Sequence, residues 1–400
     1  MSAPISLLIA TEVLDIHAVA VDIAMTDGGH DVVRLFAEDL PQRLAASFTI
    51  DPHTEAGLVI RAPGLERSFG QFDTVWYRRP CPPILPIDVL HPDDLAAASQ
   101  ENSFFNDGIW ALLGREAFWI NPLGARRESR SKLLQLAEAQ KIGFKVPRTL
   151  ASNDPERIRE FIRSNKAGTT VFKAFEGHFW DAGPGVRVVN YTTLIEEASL
   201  PSDTLLRAVP GIFQQRVAKA SELRVTCFGR HLVAARLLSQ VHEYTSLDWR
   251  VVDPKHIPIE PYTLPVEVEQ ACWQLMQRLG IVVGCFDFIV TPDGEYVFLE
   301  VNEMGQFLWI EEVNPDFHLL DTFVDFVIAR TPDFAPRQKP RSARLSFHEI
   351  AGRQEYQHAL EFDVENHIGT SVKNANPPLR ATEADKETGT AALPASSLSN

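Results

Sequence analysis

Cysteines, basic residues and long apolar runs are all scarce in this sequence, and each shortage excludes a class of protein. The 400 residues include only 4 cysteines, which are widely spaced and form neither a zinc pattern nor a disulfide framework. Acidic residues outnumber basic ones by 53 to 38, and the resulting net charge of −15 argues against a general nucleic-acid binder. No apolar run approaches the length that spans a membrane. We therefore expect a protein of the reducing cytoplasm with no membrane or nucleic-acid partner.

The sequence also has no G-x-G-x-x-G motif and no Walker motif, which argues against a dinucleotide-binding domain and a P-loop kinase. Its first segments are nevertheless typical of an open α/β sheet. Residues 5–10 and 31–35 have the pattern of buried strands, and residues 14–28 between them have helical spacing. The N-terminus lacks the basic segment and cleavage site of a signal peptide, so we interpret it as the first strand.

A later strand of this domain, residues 72–77, runs into two adjacent arginines, Arg78 and Arg79. Ligands often bind at strand ends in open α/β sheets, so the pair is a candidate binding site. A solvated loop is an equally good interpretation of the same residues. A helix is expected over residues 93–114, and a short strand and turn at residues 119–122 is taken as the boundary to a second domain.

The second domain is predicted to mix helices and strands. Helical spacing occurs at residues 127–142, 155–164, 264–280 and 314–329. Strand patterns occur at residues 169–173, 213–217, 222–228, 232–237, 286–290 and 297–302. The last two strands flank a Pro-Asp-Gly turn and should form a hairpin.

Three oxygen-bearing side chains share this hairpin. Glu300 and Asn302 are two residues apart on one strand, so they lie on one face, and Asp287 on the other strand can join them. Carboxylate and amide oxygens set among Phe, Val, Ile and Leu are costly to bury without a cation. Such hard ligands suit Mg²⁺, although polar residues facing water would explain any one of them alone.

Upstream of the hairpin, the chain is locally basic. Residues 126–173 carry twelve Lys and Arg against five Asp and Glu, which indicates a site for anionic phosphates or a set of helices with solvated basic faces. Lys132 is expected on the first turns of a helix and Lys173 at the end of a strand. A glycine-spaced loop, residues 176–186, follows Lys173.

The pattern changes from about residue 332, where prolines interrupt it. Residues 345–368 could form one amphipathic helix, and the residues from about 370 have the composition of a disordered tail. We therefore predict a first domain at 1–118, a second at 119–334 and a C-terminal extension at 335–400. Within the second domain we expect a lid subdomain at about 126–212 and a central subdomain at about 213–334.

The order of these features resembles the ATP-grasp fold, and several motifs are similar to the ATP-grasp ribosomal peptide maturases. These enzymes are the graspetide synthetases, of which the microviridin cyclases are the familiar case. The motifs are Trp76-Tyr77-Arg78-Arg79-Pro80, Ile120-Asn121-Pro122, Lys132-Leu133-x-Gln135-Leu136, Gly143-Phe144-x-Val146-Pro147-x-Thr149 and Val301-Asn302-Glu303-x-Gly305-Gln306-Phe307-Leu308-Trp309-Ile310-Glu311. The resemblance implies an α/β and α+β protein with an open α/β pre-ATP-grasp domain before the ATP-grasp domain. The extension beyond about residue 335 departs from the compact family pattern.

The resemblance also implies roles for individual residues, with ATP and Mg²⁺ as cofactors. Lys132 and Lys173 would hold the ATP phosphates, and Gln215, Val217 and Glu222 would contact the adenine and ribose. Asp287, Glu300 and Asn302 would bind Mg²⁺, and Arg224 and Arg250 would contact the transferring phosphoryl group or an acyl phosphate. Phosphoryl transfer needs charge neutralisation and in-line positioning, which a metal ion and Lys and Arg side chains provide.

The function implied is an ATP-dependent ligase for a ribosomal precursor peptide with an acidic, Thr- and Ser-rich core. It would join Asp or Glu side chains to Thr or Ser hydroxyls or to a Lys amine, and Arg78 and Arg79 would bind acidic groups of the peptide. Two alternatives stay open: a carboxylate–amine ligase of the same fold that acts on small or peptide substrates, and a non-catalytic nucleotide-binding module. A homodimer is compatible with the sequence but not required by it.

Overall fold

The N-terminal part of the computed structural model is built on a parallel sheet with the strand order β2-β1-β6-β7. The structure describes residues 3–177, 179–183, 186–241, 245–336 and 344–369. In chain order, the first elements are β1 (Ser6–Thr11), α1 (Ile16–Asp27), β2 (Asp31–Phe36), β3 (Ala45–Asp51), β4 (Thr54–Ala62), β5 (Leu65–Phe69), β6 (Thr74–Tyr77), α2 (Leu95–Leu113) and β7 (Phe118–Ile120). Strands β3 to β5 form an antiparallel sheet that the sequence analysis did not anticipate.

Strand β1 shows why this sheet is buried on both faces. Leu7 and Ile9 pack in one hydrophobic core with α1, whereas Leu8 and Ala10 pack in a second core with α2. Successive side chains of a strand point to opposite faces, so a run of apolar residues requires cover on both sides. Helix α1 begins at the predicted place because the Asp15 carboxylate accepts hydrogen bonds from two backbone N–H groups of its first turn.

The next part of the chain forms an antiparallel sheet with the order β12-β9-β13-β8. Its elements are α3 (Leu123–Ser129), α4 (Lys132–Lys141), β8 (Thr149–Ser152), α5 (Pro155–Ser164), β9 (Thr170–Lys173), β10 (Phe179–Gly183), β11 (Val186–Val189), β12 (Thr193–Leu194), α6 (Asp203–Ala208) and β13 (Gly211–Gln215). Helix α5 spans the predicted residues, with Pro155 in its first turn and Asp154 as its cap. Its Ile158 and Phe161 pack against Phe213 of β13.

The central sheet has the order β16-β15-β14-β17-β18 and is antiparallel throughout. Its elements and the helices that follow are β14 (Ser221–Phe228), β15 (His231–Leu237), β16 (Ile259–Tyr262), α7 (Val266–Leu279), β17 (Val283–Val290), β18 (Tyr296–Asn302), α8 (Leu308–Val313) and α9 (Leu319–Ala329). Phe286 and Phe288 of β17 face α7 and pack with Phe298. Cys285, one residue away, packs in the opposite core with α9. Asp287 therefore lies on the face of the sheet away from α7.

Three differences from the predicted elements lie between residues 118 and 189. The helix expected over 127–142 is divided into α3 and α4, because the Ser131 side chain caps a new helix at Lys132. The glycine-spaced loop contains the paired strands β10 and β11, although His178, Pro184 and Gly185 lie outside the described residues. Strand β7 pairs with β6, so the boundary predicted at residue 119 falls inside a strand of the first sheet. Within the described residues, no helix has the length and apolarity needed to cross a bilayer.

Asn121 joins the first sheet to the central sheet. It follows β7, is 3% exposed, and its amide nitrogen donates to the backbone oxygens of Val283 (2.8 Å) and Glu303 (2.7 Å). Its amide oxygen accepts from the backbone N–H groups of Val282 (2.7 Å) and Val283 (2.8 Å). His17 makes a second link, since its Nε2 accepts from the N–H groups of Phe307 and Leu308 at 3.1 Å each. The two links fix the start of β17 and the segment after β18.

The C-terminal extension begins with two helices, α10 (Phe347–Ala351) and α11 (Gln354–Asn366), in place of the single helix expected over 345–368. They pack against α1 of the first domain. Arg34 forms an ion pair with buried Asp363, and the His367 ring lies 2.5 Å from the carboxylate of buried Asp39. The tail that we expected to be disordered, from about residue 370, lies outside the described residues.

Replacement of Asn121 by Ala should destabilise the whole chain. The change leaves two buried N–H groups and two carbonyl groups without their partner, which we expect to lower the free energy of unfolding by about 3 kcal/mol. Denaturant titration measures the loss. Asn153→Ala is the matched control, because the Asn153 amide makes one exposed hydrogen bond, to the Arg207 carbonyl. Equal stability of the two variants would contradict the linking role of Asn121.

Truncation should separate the two parts of the C-terminal extension. A chain that ends at residue 369 keeps α10 and α11 and should match the full chain in thermal stability and activity. A chain that ends at residue 345 loses them, so that Arg34 keeps only Asp22 as an ion-pair partner and Asp39 loses His367, which should cost about 3 kcal/mol or more. Scanning calorimetry and activity assays of both chains test this. Inactivity of the longer chain would show that the last residues take part in the reaction.

Candidate active site

A single cleft between the β13 sheet and the central sheet contains all the residues predicted to contact nucleotide, metal or acyl phosphate. Strands β9 and β13 supply one wall, and β14, β17 and β18 supply the other. The predicted residues that line it are Lys132, Lys173, Gln215, Val217, Glu222, Arg224, Arg250, Asp287, Glu300 and Asn302. The residues thus come together from elements that are far apart in the chain.

Asp287 and Glu300 lie directly opposite each other on the β17–β18 ladder. Phe288 pairs with Phe298, so Leu299 is an extra residue in β18 and forms a bulge beside the carboxylate pair. Asn302 lies on the same face, and its Oδ1 accepts a hydrogen bond from the Met304 N–H at 3.0 Å. The hairpin thus presents two carboxylates and one amide oxygen to the cleft, as the sequence predicted.

Each carboxylate of the pair has a basic partner. Nη1 of Arg224 donates to both oxygens of Asp287 at 2.9 Å, and Nζ of Lys132 lies 2.8 Å from Oε2 of Glu300. Burial raises the pKa of Asp287, and Glu300 adds to the rise although Arg224 opposes it. Burial also acts to raise the pKa of Glu300, but Lys132 and the other nearby cations outweigh it and lower the pKa to about 2. At neutral pH Glu300 is therefore an anion held among cations.

Arg250 is fixed by a neighbour that the sequence analysis did not select. Its Nε and Nη2 donate to the two oxygens of Asp248 at 2.8 and 2.7 Å, which is a bidentate arrangement. Asp248 is itself buried and also accepts from the Thr192 N–H at 3.2 Å. The spacing Asp248-x-Arg250 could have predicted this pair from the sequence. An Asp side chain at such a position often accepts a hydrogen bond from the backbone two residues later, as Asp248 does from the Arg250 N–H.

Lys173 ends strand β9 and points into the cleft, and burial lowers the pKa of its ammonium group. Its charge is opposed by Arg250 and Lys132 and favoured by Glu300. Three cations on three different elements thus converge on one end of the cleft. Such a cluster fits a polyanion, because the two carboxylates paired with it, those of Glu300 and Asp248, offset only part of the positive charge.

The other end of the cleft contains Gln215, Val217 and Glu222. The carboxylate of Glu222 accepts from Nζ of Lys219 at 3.1 Å, and the same ammonium donates to the Leu247 carbonyl at 2.9 Å. Burial raises the pKa of Glu222, and Lys219 opposes the rise. The sequence analysis did not select Lys219 as a partner of Glu222, although its position three residues earlier in the chain would have allowed that prediction. Backbone groups and polar side chains lie here beside the apolar residues Phe288, Ile289 and Leu237. Such a mixed lining suits the binding of a flat ring with polar edges.

The structure corrects the prediction for Arg78. Its side chain is 1% exposed, lies 3.3 Å from the Asp15 carboxylate and donates to the carbonyls of Met304 and Gly305. A buried guanidinium that is used in this way joins two parts of the fold and is not available to a peptide. Arg79 differs, because its side chain is 37% exposed and its Nε lies 2.9 Å from the Glu12 carboxylate.

The donor set in the cleft fits Mg²⁺ and a nucleotide. Within the described residues, no group of three or more His, Cys, Asp or Glu side chains is placed to hold a metal ion. Mg²⁺ needs fewer ligands from the protein, since it binds through one or two carboxylates together with phosphate oxygens and water. Asp287, Glu300 and Asn302 supply such a set beside the basic end of the cleft.

The comparisons with solved structures agree with this assignment. A RiPP-associated ATP-grasp ligase of Chryseobacterium gregarium, in complex with ADP and a leader and core peptide, is 27% identical with a TM-score of 0.71; the match covers 85% of this chain and 99% of that one. The macrocyclase MdnC of Microcystis aeruginosa, bound with the precursor peptide MdnA, is 26% identical with a TM-score of 0.69. The macrocyclase MdnB of the same organism is 27% identical with a TM-score of 0.67. Both matches cover 81% of this chain and 99% of the matched one.

No protein-family model and no curated protein matches the chain. The structural matches nevertheless extend over nearly the whole length of the neighbours. The cleft is lined by the residues to which the resemblance assigned contacts with nucleotide, metal or acyl phosphate. The resemblance to the ATP-grasp ribosomal peptide maturases is therefore confirmed, and the chain has the ATP-grasp fold of these ligases.

Proposed function

We propose that this ligase uses ATP and Mg²⁺ to activate Asp or Glu side chains of a ribosomally made precursor peptide and to join them to Thr or Ser hydroxyls or a Lys amine. The observation that carries the proposal is the convergence of the Asp287, Glu300 and Asn302 oxygens with the basic end of the cleft. The Chryseobacterium ligase and MdnC, each in complex with peptide, support a peptide substrate.

The cations of the cleft fit the phosphate end of ATP. Lys173 and Lys132 hold the phosphates, and Asp287, Glu300 and Asn302 would hold Mg²⁺, which neutralises phosphate charge when bound. Binding would require Lys132 to exchange part of its contact with Glu300 for a phosphate oxygen. The exchange is feasible because both side chains are about 30% exposed and are not locked in the core. Gln215 and Val217 bind the adenine, and Glu222 binds the ribose or adenine end.

Arg224 and Arg250 stabilise the charge that develops during activation. A carboxylate oxygen attacks the γ-phosphorus, ADP leaves, and an acyl phosphate forms. Both guanidiniums are fixed beforehand, Arg224 by Asp287 and the Gln306 carbonyl and Arg250 by Asp248, so little reorganisation is needed at the moment of reaction. For both arginines, burial acts to lower the pKa, but the adjacent carboxylate raises it above the ordinary value, so both remain cations.

Two further assignments belong to this proposal. The role assigned to Arg79, which is partly exposed just after β6, is to bind acidic groups of the peptide. The enzyme would act in the cytoplasm, where its peptide is made and ATP is abundant. Both assignments rest on the proposed peptide substrate and would fall with it.

Co-expression with a candidate peptide tests the function directly. The probe is a small peptide rich in Thr, Ser, Asp and Glu, to be sought among the reading frames next to the gene for this chain. The active enzyme should remove one water molecule from the peptide per cross-link, as seen by mass spectrometry, and Glu300→Ala should abolish the loss. Glu295→Ala is the matched control, because Glu295 lies in the turn of the same hairpin and pairs with Lys145. Normal dehydration by Glu300→Ala would refute the metal assignment.

Replacement of Lys173 by Ala should weaken nucleotide binding without unfolding the chain. Loss of one charge-assisted contact to phosphate is worth about 1.5–3 kcal/mol, which corresponds to a Kd raised by roughly tenfold to a hundredfold. Calorimetry with a non-hydrolysable ATP analogue and Mg²⁺ measures the change. Lys166→Ala removes the same charge from an exposed position outside the cleft and should bind like the wild type. An unchanged affinity of the Lys173 variant would contradict the phosphate role.

A further inference from the structure

Two tryptophan rings line the cleft at the end that contains the arginines. Trp249 lies in a 3₁₀ turn, Trp249–Val251, and Trp309 lies in the first turn of α8. Their ring centroids are 4.9 Å apart and their planes meet at 27°, so the rings are stacked. We call this pair the tryptophan wall. None of the roles assigned above uses it.

Each ring of the tryptophan wall is tied to one of the two arginines. Nε1 of Trp309 donates to the Gln306 carbonyl at 3.1 Å, and Nη2 of Arg224 donates to the same oxygen at 3.0 Å. Trp249 directly precedes Arg250, whose guanidinium is held by Asp248. The wall is thus fixed next to the groups that would hold an acyl phosphate.

The wall faces the cleft as well as the core. Trp76 and Trp110, which pack in the cores of the first domain, are 2% and 1% exposed. Trp249 and Trp309 are both only half-buried and contact the edge of a hydrophobic core while they also line the cleft. Trp119 and Trp273 are half-buried as well, so what sets the wall apart is that its two rings stack on each other in the lining of the cleft.

The proposed reaction has a competitor that such a surface would oppose. An acyl phosphate that reacts with a peptide hydroxyl gives an ester, releases phosphate and loses the hydroxyl proton. The same acyl phosphate that reacts with water returns the free carboxylate and phosphate, so that the ATP is consumed with no product. Water is far more concentrated than any one hydroxyl, and an enzyme must exclude it from the reactive intermediate.

We propose that the tryptophan wall excludes water from the acyl phosphate and so directs it to the peptide nucleophile. The inference rests on the proposed function, since it assumes that an acyl phosphate forms on the peptide. The two stacked rings cover the phosphoryl end of the cleft with apolar surface on which water makes no hydrogen bonds. The peptide chain covers the remaining opening when it binds, and the methyl group of a threonine nucleophile can pack against the rings.

The test compares ADP release with cross-link formation in the purified full-length enzyme and the precursor peptide. Trp249→Ala and Trp309→Ala should still release ADP, but the number of ADP molecules per cross-link should rise by about tenfold. In water enriched with oxygen-18, the label should appear in the Asp and Glu carboxylates of the peptide. Trp249→Phe and Trp309→Phe keep an aromatic ring and should restore most of the coupling.

Trp273→Phe is the control, because Trp273 lies on α7, outside the cleft, and packs against Arg230. An unchanged ratio of ADP to cross-links in both Ala variants would overturn the inference. It would also be overturned if the Ala variants released no ADP and the Phe variants were inactive as well. A wild-type enzyme that releases ADP and makes no cross-link would instead refute the proposed function itself. The two failures are therefore distinguishable in one experiment.

Discussion

The site depends on the mutual repulsion of two carboxylates that the β17–β18 ladder holds face to face. Asp287 and Glu300 are direct partners in an antiparallel pair, where opposite side chains are about 5 Å apart. Like charges at that distance require compensation by cations, and the structure supplies Arg224 to one and Lys132 to the other. A bound metal ion would satisfy both carboxylates at once and free Lys132 for phosphate. The electrostatics of the cleft thus explain why nucleotide and metal would bind together.

The first domain keeps this hairpin in place. The Asn121 side chain completes four hydrogen bonds at the start of β17 and just after β18, and Nε2 of His17 accepts two more at the start of α8. Burial lowers the pKa of His17, so the ring stays neutral and can accept these bonds. Arg78 joins the same segment from the other side through the Met304 and Gly305 carbonyls. Three polar side chains from the N-terminal part of the chain therefore anchor the segment that contains the proposed metal ligands.

Local signals made much of this predictable from the sequence. The hairpin follows from strand alternation around a Pro-Asp-Gly turn, and the common face of Glu300 and Asn302 follows from the pleat. The burial of Arg78 could not be predicted, because two arginines at a strand end look the same whether their partners are solvent or a distant carbonyl. The carbonyl groups that Arg78 contacts, those of Met304 and Gly305, lie more than 220 residues away in the chain. The β3–β5 sheet was missed although Ser47-Phe48-Thr49-Ile50-Asp51 of β3 alternates polar and apolar residues, which is the pattern of a strand with one apolar face.

The most direct measurement of the central claim is a crystal structure with a non-hydrolysable ATP analogue and Mn²⁺ in place of Mg²⁺. The anomalous signal of manganese locates the ion independently of the surrounding model. The account predicts a peak among the side-chain oxygens of Asp287, Glu300 and Asn302, with Lys173 in contact with the phosphates and Lys132 moved from Glu300 towards them. Nucleotide bound in the cleft with manganese absent from these three side chains would contradict it.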